Sequence, residues 1–330
     1  MNNKLLPPQK NLVHLPEDVL LNISKYVDLT KFCTTSKSLW NGELRKDIVY
    51  LSLRNQVALR FYEEEDFRTY VYSRVTNPTK QISLDLSGCD QVRDVSALVR
   101  LHSLNLSGCI NLINVSALEK VRTLNLSNCP GVTDVSALGN VHKLNLGGCN
   151  NLTNVSALTN VHTLILSGCD NLIDVSALTN VHTLYLMNCS GITDVRSLGN
   201  ADTLYLSCCI NLTDVSTLGK VRVLNLSGCD GVTDVRALGN VPVLNLSYCC
   251  NLIDVSPLGN SHTLSLYGCH GISDVSNLGK VHYLNLSWCS GISDVSALGE
   301  VHTLNLSRCS GVRDVSALSN VKELTLPRGK

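Results

Sequence analysis

Between Gln81 and Asn320 the chain repeats one twenty-residue unit twelve times with hardly a slip in register, as in the copy from Val121 to Asn140. So strict a period forces equivalent residues of successive copies into equivalent surroundings. It predicts a solenoid in which each turn of chain packs on its two neighbours, with weak points only at the ends.

Within each copy the apolar residues hold fixed places, in the third copy Val121, Leu124, Leu126, Cys129, Val132, Val135 and Leu138. In Leu144-Asn145-Leu146 and its equivalents the alternation of period two predicts a short strand, leucines inward and Asn outward. Gly228 and Gly231, at the eighth and eleventh places, are expected to supply positive backbone angles for a tight descending loop. Asp234, at the fourteenth, is expected to open a return turn and to accept the amide of Arg236 or Ala237. Twenty residues leave no room for a full returning helix, so the arc should be shallow.

The phase reads L-x-x-L-x-L-x-x-C-x-x-L and resembles the leucine-rich repeat in its cysteine-containing form, over about three quarters of the chain. The D-V-S-A-L return is similar to the short repeats of the internalin type. The resemblance implies an α/β solenoid, a leucine-rich repeat arc with short parallel strands on its concave face, over residues 81–330.

Twelve of the fifteen cysteines, from Cys89 to Cys309, share the ninth place. Stacked about 4.8 Å apart they predict a buried row of small hydrophobes whose thiols donate to loop carbonyls, the task Asn performs in other leucine-rich repeats. Twenty-residue spacing matches no zinc pattern. Cys33, Cys208 and Cys250 fall outside the row.

The balance of 27 basic and 27 acidic residues leaves no net charge, which disfavours nucleic acid and anionic membrane as partners. No apolar run is long enough to span a bilayer, and Met1 to Lys10 is polar and proline-containing. A soluble protein of the reducing cytoplasm is expected, its thiols unpaired. Ser, His and Asp recur in every copy, whereas a catalytic triad needs one convergence in a pocket. No enzyme activity, cofactor or metal site is expected.

Ahead of the repeats the period vanishes. Residues 1–11 read as a flexible N-terminus, and Val19, Leu20, Ile23 and Val27 form a helical stripe with Pro16, Glu17 and Asp18 in its first turn. Leu15-Pro16, the acid after it, Val19-Leu20-Leu21, Ile23, Tyr26-Val27, Asp28-Leu29 and Trp40 resemble an F-box across about forty residues, 12–50. Lys37-Ser38-Leu39-Trp40 departs from the cysteine or valine followed by basic residues that the family has there. The resemblance implies a small all-helical module docking on a Skp-family adaptor and its cullin ligase core through Leu15, Pro16, Val19, Leu20, Ile23, Val27 and Leu29. It also resembles the highly regular F-box repeat proteins of large DNA viruses, which implies a host cytoplasm. Residues 51–80 read as one or two amphipathic helices ending before Asn77-Pro78 and closing the open end of the solenoid.

Each copy can be measured against the others. At the fifth place, where Asn is usual, Ile165, Tyr185 and Tyr205 interrupt the row on three consecutive strands, with Met187 beside them. At the seventh and eighth places, usually Ser and Gly, later copies carry Tyr248, Tyr267, Trp288 and Arg308, with Tyr283 at the third. Aromatic residues and Arg are what interface centres favour. These nine residues are the expected target-binding surface, two clusters about 15 Å apart along the stack. Together the resemblances imply the substrate-recognition subunit of a Skp-cullin-F-box ubiquitin ligase. The alternative is a non-catalytic protein-interaction scaffold or decoy with a degenerate F-box, whose front helices no longer engage an adaptor.

Overall fold

A computed structural model describes residues 50–74 and 81–327. Their organising element is one sheet of 14 strands, all parallel and in chain order. It begins with β1 (Tyr50–Leu53) and β2 (Gln81–Asp85), and continues through three-residue strands from β3 (Ser103–Asn105) to β14 (Glu323–Thr325). Register is locked at the repeat length, so Leu124 lies beside Leu104 on one side and Leu144 on the other.

Three residues are too few to hold a parallel pair, and the ladder runs beyond them. Leu126 N–H donates to Asn145 O and Asn128 N–H to Gly147 O, both at 2.8 Å; before the strand, His142 and Lys143 N–H share Arg122 O at 3.0 Å. Each copy is thereby stitched to the next at both ends of its strand.

The apolar places are the buried ones: Val121, Leu124, Leu126, Cys129, Val132, Val135 and Leu138 are all within 2 % of full burial, and their equivalents continue one core along the stack. The return segment is a single 3-10 turn, as at Ser136–Leu138. This is the short return that twenty residues allow.

From Cys109 to Cys309 the cysteine row is buried as expected, with Cys89 at its front end half-buried, and its bonds are specific. Cys129 Sγ donates to Leu106 O at 3.1 Å, a carbonyl that also accepts the Cys109 N–H at 3.1 Å. One leucine carbonyl thus takes a bond from its own copy and one from the next, satisfying both lone pairs. Burial pushes these thiols up, Cys149 to about 11 and Cys169 to about 12.

The eighth and eleventh places differ in kind. Every eighth-place residue from Gly88 to Arg308 has positive φ, glycine or not. The left-handed angle turns its N–H onto the carbonyl of the next copy's seventh residue, as in Gly88 to Ser107 at 2.8 Å. The eleventh-place glycines do not share this angle, contrary to the expectation for Gly231. There, a Cβ would meet Leu212 O at 2.5 Å, so close packing of adjacent turns is what requires glycine. Copies with Asn at that place use a different contact: Asn151 Nδ2 donates to Pro130 O at 2.9 Å.

At the front, α1 (Asn55–Glu63) and α2 (Glu65–Arg74) follow β1. Leu53, Val57, Ala58, Phe61, Phe67 and Val71 are buried in the same core as Ile82 and Leu84. Arg68 Nη1 donates to Phe61 O and Tyr62 O at 3.0 and 2.7 Å, capping carbonyls that the end of α1 leaves free. The repeat pattern gives no sign of β1; it pairs with β2 and covers an edge that would otherwise lie open.

Asp at the fourteenth place caps the return turn as expected, with Arg236 N–H donating to Asp234 Oδ1 at 3.0 Å. Asn114 makes the same bond to Ser116 N–H at 2.9 Å without a charge. Hydrogen bonds from Ser136 hold the Asp134 carboxyl below its ordinary value, and those from the Arg236 side chain bring Asp234 to about 2. The folded chain then binds these protons less readily than the unfolded one. This contribution is complete above about pH 4 and is lost as pH falls through the lowered values, about 2 for Asp234. Changing Asp134, Asp174, Asp214 and Asp254 together to Asn should lower the melting temperature at neutral pH and flatten its decline below about pH 4. Thermal melts across the acid range test this, and an unchanged decline would acquit the cap carboxyls. Native alkylation with iodoacetamide, mapped by mass spectrometry, should modify the exposed Cys208 and Cys250 while sparing Cys149 and Cys169 until denaturant is added. Equal labelling of all four would contradict the buried row.

Candidate protein-interaction surface

The outward side of the sheet is set by what Asn does at the fifth place. Asn145 Oδ1 accepts the Gly147 N–H at 2.9 Å, and Asn105, Asn125, Asn225, Asn245, Asn285 and Asn305 do the same two residues ahead at 2.9 to 3.1 Å. The Asn row is therefore a structural device closing the turn after each strand. Because a backbone N–H can only donate, the atom facing it is the oxygen, and the Asn keeps its Nδ2 for other partners, as Asn105 does in donating to Asp85 Oδ1 at 2.9 Å.

Ile165, Tyr185 and Tyr205 give up that bond on three adjacent strands, β6 (Thr163–Ile165), β7 (Thr183–Tyr185) and β8 (Thr203–Tyr205). Each lost bond is worth about 1 kcal/mol. The Tyr185 and Tyr205 rings stack at 4.6 Å and 3°. Ile165 pairs in register with Tyr185, and the Met187 N–H turns to Ser167 Oγ at 3.2 Å. These four residues form one half-buried apolar patch.

The later residues separate into two groups. Tyr248, Trp288 and Arg308 occupy the left-handed eighth place with φ of 61°, 65° and 64°. Away from glycine such an angle costs roughly 1–2 kcal/mol. Tyr248 is 53 % and Trp288 47 % exposed. Tyr248 lies across Gly268, where a Cβ would come within 2.9 Å of its ring, and meets Tyr267 edge-on at 4.9 Å. The Arg308 guanidinium sits 5.5 Å over Trp288. Tyr283 lies at the opposite end of its strand, edge-on to His282 at 4.5 Å, and belongs to the histidine row instead. Asn225 and Asn245 keep the usual residue between the two clusters. The sequence did not single out Cys208, which shares the left-handed place at φ 60°; its phase was the available signal.

His142, His162 and His182 stack at 4.7 and 4.6 Å, and His262, His282 and His302 at 4.8 and 4.4 Å. Between the two groups, Arg222 grips Asp202 with two bonds of 2.8 Å. Partial removal from water, then the nearby charges of Arg122, His162 and Lys143, lowers His142; desolvation, then His302, His262 and Lys322, lowers His282. Both are neutral at physiological pH. Among the described residues no three His, Cys, Asp or Glu side chains are grouped for a metal ion, and no helix is long and apolar enough to cross a membrane. Leu15, Pro16, Val19, Leu20, Ile23, Val27 and Leu29 lie outside the described residues.

No family model and no curated protein matches the sequence. Solved structures match by shape. An internalin, InlF from Listeria monocytogenes, superposes with a TM-score of 0.61 at 19 % identity, over 95 % of this chain and 95 % of that one. The functional domain of InlJ from the same organism, described as including a cysteine ladder, gives 0.50 at 20 % over 86 % of this chain and 63 % of that one. The TLR13 chain of a TLR13–ssRNA13 complex gives 0.53 at 18 % over 84 % and 50 %. At these identities the likeness speaks for fold alone: the chain is similar to leucine-rich repeat proteins of short, regular repeat, and its architecture is a leucine-rich repeat solenoid.

Proposed function

We propose that this protein is a non-catalytic receptor that holds a partner protein against the outward side of its sheet. The single observation that carries this is the loss of the Asn turn bond on three consecutive strands in favour of Ile165, Tyr185 and Tyr205. For the array's own folding the ring stack at most offsets the lost turn bonds, and a half-buried aromatic patch in the middle of a regular polar sheet is what partner binding requires. Residues 12–50, with their F-box-like pattern, would bring a Skp-family adaptor and a cullin ligase core to the captured protein. The chain would then act as the target-selecting subunit of a ubiquitin ligase in the cytoplasm. Its contribution to the transfer would be proximity, raising the effective concentration of a target lysine near the charged conjugating enzyme. Helices α1 and α2, packed into the repeat core, would hold the two parts in fixed relation.

Replacing Tyr185 and Tyr205 together by Asn should restore two turn bonds and remove one ring stack, leaving stability within about 1 kcal/mol of the parent. Capture of the partner, identified by proximity labelling in cells and measured with purified proteins, should weaken about tenfold or more. Unchanged affinity would place the site elsewhere. Separately, Leu20→Asp and Ile23→Asp should abolish co-purification of a Skp-family adaptor while preserving target capture. Failure of the parent chain to retrieve an adaptor or cullin would leave the receptor reading without its ligase.

A further inference from the structure

The zero net charge of the chain conceals a division between its two sides. On β10 (Val243–Asn245), β11 (Thr263–Ser265), β12 (Tyr283–Asn285) and β13 (Thr303–Asn305), the stretch from the second to the eighth place of each copy contains no carboxylate at all. The acids of these copies lie elsewhere, as in Asp274 and Asp294 at the exposed start of the return turn, where they cap amides. What the sheet side offers is donors. With their oxygens committed to turn amides, Asn285 and Asn305 have chiefly their amino groups left to offer a partner. Ser287 adds its own hydroxyl to Asn285 Oδ1 at 2.6 Å, leaving that oxygen still less available to a partner.

Arg308 stands at the end of this surface. Among the described residues no carboxylate forms an ion pair with it, and its guanidinium lies over the exposed ring of Trp288. Both residues hold a left-handed backbone angle that glycine adopts freely, and so does Tyr248, whose ring covers Gly268. From Tyr248 across Gly268 to Trp288 and Arg308, four successive copies give an aromatic ledge about 15 Å long that ends in a cation with no carboxylate partner among the described residues. The scaffold is weakened at three of those four positions to present it.

We infer that this ledge, with the donor-rich floor beside it, receives an extended, acidic segment of a partner protein: its apolar side chains lie on Tyr248 and Trp288, a carboxylate meets Arg308, and its backbone carbonyls accept from the Asn285 and Asn305 amides. A carboxylate suits a guanidinium already seated on a ring, since the planar fork keeps its edge free. Single-stranded RNA also stacks on rings, but its affinity depends on several cations tracking the phosphates, and among the described residues the ledge carries one. The inference rests on the reading of the sheet side as the partner-binding side, and it adds the chemistry of what binds.

The test uses the full chain and random twelve-residue peptides displayed on phage. Peptides recovered on the parent should be enriched in Asp and Glu together with aromatic residues, Leu or Pro. Synthesised with a fluorescent label, they should bind at least tenfold more weakly to Arg308→Glu and to Trp288→Gly by anisotropy. Trp288→Gly and Tyr248→Gly, relieved of the backbone angle, should melt no lower than the parent, a result that separates lost binding from lost folding. Recovery of no binder, recovery of peptides without acidic enrichment, or equal binding to Arg308→Glu would overturn the inference. So would a labelled twelve-nucleotide poly-uridine RNA that binds the parent more tightly than every peptide. If the cellular partner is lost with Tyr185→Asn and Tyr205→Asn but binds Arg308→Glu and Trp288→Gly like the parent, the receptor reading stands and this one fails.

Discussion

Stacking in register holds this molecule together, and it works through carbonyl groups that serve two copies at once. Leu106 O accepts Cys109 N–H from its own turn and Cys129 Sγ from the next, and the same pairing recurs up to Cys309 Sγ on Leu286 O at 2.9 Å. A three-residue strand cannot hold a parallel partner unaided. With the additional bonds on either side of it, each copy is held along its whole inner edge. A slip by one residue would turn every leucine outward and break all of these bonds together. The near-identity of the copies is thus a requirement of the architecture, as each must present to the next what it received from the last.

Against so uniform a background, deviations acquire a sign. At the first, fourth, sixth and ninth places the residues are buried and vary little. At the fifth and eighth places the usual residue has a local duty: Asn closes a turn, Gly takes a left-handed angle. Where Ile165, Tyr185 and Tyr205 replace the first, and Tyr248, Trp288 and Arg308 the second, the scaffold loses a bond or gains strain, and none of these side chains joins the buried core in return. Sites where local preference and backbone conflict are those where a demand from outside the fold is expected. The position of a ring in the repeat therefore says more than its exposure. Ile113, Ile173 and Ile253 are each more exposed than Trp288, yet they stand singly, and at a place that asks nothing particular of the residue there.

The electrostatics follow from the same phase. Most acids of the repeats cap return turns, as Asp274 and Asp294 do, and from β10 to β13 Asn, His and Arg308 occupy the side that bears the strands. Overall neutrality says nothing about either surface, because the solenoid separates two places of the repeat that the sequence interleaves every few residues.

The sequence by itself determined the repeat length, the strand, the inward leucines, the buried cysteines and the capping Asp, since each depends on spacing along one copy and spacing survives folding. It was also enough to mark Ile165, Tyr185, Tyr205, Tyr248, Trp288 and Arg308 as departures. Other properties depend on what one copy presents to the next, and only the tertiary structure decided those. The eleventh-place glycine is needed because a neighbouring carbonyl lies against it, as Leu212 O does against Gly231. The eighth residue is left-handed because its N–H must reach the copy ahead. Tyr283 joins the histidines because the strand separates it from the ledge. Strand β1 lies outside the period altogether, and only its pairing with β2 reveals it. Apart from the contact of Tyr283 with its own neighbour His282, each is a contact between residues about twenty or more apart, formed by stacking and therefore invisible within any single unit.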